Sequence, residues 1–135
     1  MREIKFRFFR ELPSKKMIYD NPDIYIGFEG SVYGIVRYSE KDIEHSKLNL
    51  VPLQYTGLKD KNGTEIYEGD IVDTHPFHKI SHPKNRYQKV IFWAGSFEAE
   101  HNNFGWEGEE IVVLEECKVI GNIYENTELI NQINN

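Results

Sequence analysis

The chain has 135 residues with 8 Phe, 8 Tyr and 2 Trp and 39% apolar side chains, which suits one folded domain and excludes a disordered polar chain. Its net charge of −6 is uneven: residues 91–135 hold one basic against nine acidic side chains, whereas residues 1–90 hold 15 against 13. That balance disfavours sequence-independent binding to a polyphosphate, which needs a cationic footprint.

In chain order, residues 3–9 alternate, with Ile4, Phe6 and Phe8 on one side and Lys5, Arg7 and Phe9 on the other, the pattern of a half-buried strand. Pro13 and Ser14 mark a turn, Met17, Ile18 and Tyr19 resume as a hairpin partner, and Asp20-Asn21-Pro22-Asp23 breaks the chain again. Residues 24–28 and 31–38 read as strands around a Glu29-Gly30 turn, residues 39–46 as a polar stretch with room for one helical turn, and 49–55 as a strand with Pro52 at an edge or bend. Strands follow at 66–67 and 71–73, then a long loop over 74–86 containing Pro76 and Pro83. Residues 87–93 and 96–100 form a hairpin turning at Ala94-Gly95, 101–110 a second loop, 111–114 and 118–124 two strands, and 127–133 a short helix. Short strands punctuated by turns predict an all-β fold with at most one or two short helices, in a single domain over 1–135. Within it we expect an N-terminal meander over about 1–50 and a small curved, barrel-like half over about 51–126.

The densest signal lies in residues 54–72. Asn62-Gly63 is a reversal signal, and Glu68-Gly69-Asp70 punctuates the chain before the apolar Ile71-Val72. Tyr55, Gly57, Asp60, Asn62, Gly63, Tyr67, Glu68, Gly69 and Asp70 are therefore structural residues, with the glycines in turns or bends and Asp70 binding backbone amides at a corner. This block, together with Met1-Arg2-Glu3-Ile4-Lys5-Phe6-Arg7 and Val119-Ile120-Gly121-Asn122-Ile123-Tyr124-Glu125-Asn126, resembles the YopX family of phage and prophage proteins. Phe8-Phe9-Arg10 departs from the family's alanine, tryptophan and aspartate, and Thr127 stands where proline is usual. The resemblance implies a mostly β fold, a bacterial intracellular setting and self-association, and it implies no catalytic residues.

Chemistry beyond the motif is sparse. His75, His78 and His82, with Asp73 as a fourth ligand, are the metal candidates, against the plainer reading of an exposed loop. Arg2, Lys5, Arg7, Lys79, Lys84 and Arg86 are the nucleic-acid candidates. Asp60-Lys61-Asn62-Gly63 resembles the middle of a calcium loop, but Leu58 and Gly69 would fill its outer ligand positions, which excludes it. Glu65, Glu68 and Asp70 could act as acid and base, yet they lack a convergent nucleophile. Cys117 reads as a small buried thiol whose acidic neighbours disfavour thiolate. Phe92, Trp93, Phe97, Phe104 and Trp106 suit a core or an oligomer interface better than base stacking, given the local acidity.

A single cysteine excludes an intrachain disulfide framework, and the charged N-terminus (Arg2, Glu3, Lys5, Arg7, Arg10) is unlike a signal peptide. The longest apolar run, Val90 to Ala94, is far below the ~20 residues of a membrane span. We therefore expect a cytoplasmic, cofactor-free, non-enzymatic binding module that forms a homo-oligomer and meets a host or phage protein. Nucleic-acid binding is the rival, and a metal-dependent enzyme at the histidine loop a third alternative.

Overall fold

A computed structural model describes residues 3–75, 86–100 and 112–134. The fold is all-β with one short helix, as the strand pattern predicts. The chain divides into two compact units, Lys5–Leu53 and Gln54–Asn135 with Met1–Ile4.

In the first unit, β1 (Phe6–Arg10) pairs antiparallel with β2 (Lys16–Ile18), Phe8 opposite Ile18 and Phe9 opposite Met17. The expected alternation of β1 fails, because Arg7, Phe8 and Phe9 are all buried. Arg7 is tolerated there with an Nη1 hydrogen bond to the Tyr19 hydroxyl at 3.3 Å. A three-stranded sheet follows, β3 (Ile24–Ile26), β4 (Val32–Arg37) and β5 (Ile43–Leu48), in that order. Strand β5 replaces the helical turn expected near residues 39–46: its polar side chains look outward, and it pairs along the whole of β4. On one face Tyr25, Tyr33 and Lys47 form a cross-strand row, with Tyr25 stacked on Tyr33 at 5.4 Å.

Strand β6 (Val51–Lys59) leads from the first unit into the second, where it pairs with β7 (Glu65–Tyr67). The remaining strands are β8 (Asp70–Asp73), β9 (Tyr87–Trp93), β10 (Ser96–Ala99) and β11 (Lys118–Asn122), in the antiparallel order β10-β9-β8-β11. Ala94 and Gly95, at φ 51° and 86°, make the tight turn between β9 and β10. The core of this unit gathers Ile66, Val72, Val90, Ala99, Val112, Leu114 and Cys117.

The strand expected over 111–114 is absent in its described part. Leu114–Glu116 instead forms a 3-10 turn. Three-residue spacing sets Leu114 and Cys117 on one side of that turn, so both reach the core while Val113 faces out. The chain closes with α1 (Thr127–Asn134). Among the described residues no helix is long and apolar enough to cross a membrane.

Candidate functional site

The two longer blocks singled out in the sequence meet in space, joined by the side chain of Asp60. Its Oδ1 accepts the backbone N–H groups of Asn62 at 2.8 Å and Thr64 at 2.9 Å, and its Oδ2 accepts that of Val119 at 2.8 Å. The Asp60 carbonyl also accepts Gly63 N–H at 3.0 Å, closing the reversal at φ 82° that only glycine adopts cheaply. Lys61 donates its N–H to the Cys117 carbonyl at 3.0 Å, a second link to the approach of β11. Burial by itself would raise the Asp60 carboxyl, but the three amides, helped by Lys118, hold it below the usual carboxylate range. A calcium role is thereby disfavoured on structural grounds too, since these oxygens already serve amides.

Gly69 ties the same blocks at a second point. Its N–H reaches the Val90 carbonyl and its carbonyl accepts Ile123 N–H, both at 2.9 Å, while Glu68 N–H reaches the Gln54 carbonyl at 2.9 Å. Asp70, 2% exposed, accepts Tyr67 N–H on Oδ2 at 2.8 Å, the corner bond expected of it. Tyr55 and Tyr67 are opposite each other, both buried, with ring centroids 5.5 Å apart. Gly57, expected in a turn or bend, lies inside β6. It sits at φ 86° where the register shifts between Tyr55 and Lys59, so it makes a β-bulge. Thr56 secures that bulge, donating Oγ1–H to the Ile66 carbonyl at 2.7 Å and accepting Leu58 N–H at 3.1 Å.

Asn122 is an organiser that residue-by-residue reading missed. Its Oδ1 accepts the N–H groups of Tyr124 and Glu125, its Nδ2 donates to Glu125 Oε1, and its own N–H donates to Asn126 Oδ1 at 3.0 Å. The signal was present as two asparagines four residues apart after a glycine, a combination suited to side-chain-closed turns. Of the proposed acid and base residues, Glu65 is in β7, Glu68 is half-buried in the following turn, and Asp70 is committed to the corner.

Among the histidines, His75 donates its backbone N–H to Asp73 Oδ1 at 3.0 Å, while His78 and His82 lie outside the described residues. Asp73 meets Arg86 through two bonds of 2.9 Å. Burial pushes the Asp73 carboxyl up, but Arg86 and the His75 amide outweigh it and hold it low. Among the described residues no group of three or more His, Cys, Asp or Glu could hold a metal. Of the basic candidates, Arg7 is buried and Arg86 is paired with Asp73, whereas Arg2, Lys79 and Lys84 lie outside the described residues and Lys5 is half-buried. Cys117 is fully buried and its thiol is pushed up to about 12, chiefly by burial and next by Asp73. Phe92 and Trp93 are exposed, Phe97 packs edge-on against Phe92 at 5.0 Å, and Phe104 and Trp106 lie outside the described residues.

A family model described as YopX protein matches residues 5–131. Among solved structures, the chain is similar to the crystal structure of protein EF1440 from Enterococcus faecalis, at 27% identity and a TM-score of 0.54, covering 96% of this chain and 99% of that one. A comparison with curated proteins gave no match.

Proposed function

We propose, from the premise that this chain belongs to the YopX protein family, that it is a self-associating, protein-binding accessory module and not an enzyme. Its proposed setting is the cytoplasm of a bacterium that carries a phage or prophage, and it needs no cofactor for this role. The observation that carries the reading is the contrast between the motif and the surface. Asp60, Asp70, Thr56 and Asn122 are engaged with main-chain groups, which gives them an architectural job. Large apolar side chains meanwhile stand out in solvent, notably Phe28, Tyr38, Phe92 and Trp93. Exposed aromatics of this size favour protein contact, because burying them removes a large apolar area from water.

Light scattering coupled to size exclusion tests self-association. We expect a mass above that of the monomer across a tenfold concentration range, and a monomer mass throughout would refute it. A mobility-shift assay with single-stranded and duplex DNA at physiological salt tests the rival. No retention is expected, and tight, salt-sensitive retention would overturn the protein-binding reading.

A further inference from the structure

Strand β3 is an edge of its sheet, with β4 on one side and, among the described residues, no strand on the other. Which of its backbone groups face outward follows from the ladder. Ile35 N–H donates to the Asp23 carbonyl at 2.8 Å, and Gly27 N–H donates to the Ser31 carbonyl at 2.6 Å. Hydrogen-bonded pairs alternate along an antiparallel ladder, so Tyr25 opposite Tyr33 is the bonded pair between them. The N–H and C=O groups of Ile24 and Ile26 therefore point away from β4. Ile24 N–H is taken by the Asn21 carbonyl at 3.3 Å. The Ile24 carbonyl and both backbone groups of Ile26 remain along the outer edge.

Beside this edge, within the same unit, runs an open groove of about 530 Å³. Phe6, Phe8, Pro22, Ile24 and Ile26 give it apolar walls, and Lys5 and Asp20 add an ammonium and a carboxylate to its lining. Asp20 is exposed and holds the left-handed conformation at φ 47°. An edge with outward backbone donors and acceptors, an apolar trough and one charge of each sign, Lys5 and Asp20, fit an extended chain better than a compact ligand.

We infer that this groove takes an extended peptide segment of a partner protein, added beside β3 as a fourth strand of the β5-β4-β3 sheet. Alternate side chains of the segment are apolar and enter the trough against Phe6, Phe8, Ile24 and Ile26, while a lysine or arginine meets Asp20. The inference rests on the protein-binding reading and gives it a mode.

The test pans a phage-displayed random decapeptide library on the full-length protein and measures a synthetic copy of the enriched peptide by titration. We expect enrichment of alternating apolar residues with a basic one. N-methylation of the peptide should abolish binding at every second amide and leave the intervening amides tolerant. Ile26→Pro removes an outward N–H without touching the β4 ladder and should weaken binding by about tenfold or more. Asp20→Asn keeps the left-handed turn and should weaken it by several-fold, so the proposal stays testable even if Ile26→Pro fails to fold. Absence of enrichment, uniform tolerance to N-methylation, or affinity unchanged in both variants would overturn the assignment. If Ile26→Pro changes the oligomer mass and leaves peptide affinity intact, the edge joins two copies and the peptide assignment falls. A partner protein bound equally well by wild type and both variants would overturn the groove alone and leave the broader reading standing.

Discussion

Asp60→Asn is the most incisive perturbation, because it preserves shape and removes one acceptor and one charge. The asparagine carbonyl can still accept the Asn62 and Thr64 amides, which bond Oδ1 in the native chain. Its NH₂ group then faces Val119 N–H across what was a 2.8 Å bond, donor against donor. A hydrogen bond to a charged group contributes about 1.5–3 kcal/mol, and a buried amide left without an acceptor adds about 1 kcal/mol more. The two surviving bonds also lose their charge assistance. We expect a loss of about 3 kcal/mol at pH 7, which in a domain of this size lowers the Tm by roughly 10–15 °C. The pH dependence is an independent check. The folded-state carboxyl lies below its ordinary value, so its stabilisation is present above the unfolded pKa of about 3.9 and is lost as pH falls through the folded value. Urea unfolding followed by far-ultraviolet circular dichroism should show a gap between wild type and variant that is full near neutrality and closes below about pH 4. A gap under about 0.5 kcal/mol at pH 7, or one that persists unchanged into acid, would refute the role given to Asp60.

Two further outcomes follow from the same geometry. In Gly121→Ala the new Cβ would stand 2.5 Å from Asn126 Oδ1 and 2.9 Å from Leu129 Cδ1, so both side chains must move and Asn126 Oδ1 is displaced from the Asn122 N–H it accepts. We expect about 1–3 kcal/mol of destabilisation, with faster amide exchange in α1, and exchange at the wild-type rate would contradict this packing. Cys117, with its thiol pushed up to about 12, should resist a disulfide reagent at pH 8 in the folded protein and react at once in denaturant; rapid native labelling would show that it is accessible.

Much of this architecture is local and therefore readable along the chain. Asn62-Gly63 and Ala94-Gly95 are turns because positive φ is a property of a few residues, and period-two burial marks β9 without reference to its neighbours. Asp70 at its corner belongs to the same class, since its partner Tyr67 is three residues away.

Other features depend on contacts that no window of sequence contains. Residues 111–114 have the composition of a strand, yet the core claims Val112, Leu114 and Cys117 together, and a 3-10 turn is the backbone that delivers the last two. Gly57 bends the chain as a bulge within β6, because β6 continues past it to pair with β7. Asp60 looks like a turn residue from its own neighbourhood, and it is one, but its second oxygen is filled by an amide 59 residues away. By itself the sequence determined the all-β class, the tight turns and the identity of the motif residues, because propensity and φ preference act over a few bonds. Only the tertiary structure decided which motif blocks meet, that β1 is buried on both sides and which edge of β3 is left open, because those depend on distant segments competing for the same acceptors and the same apolar space.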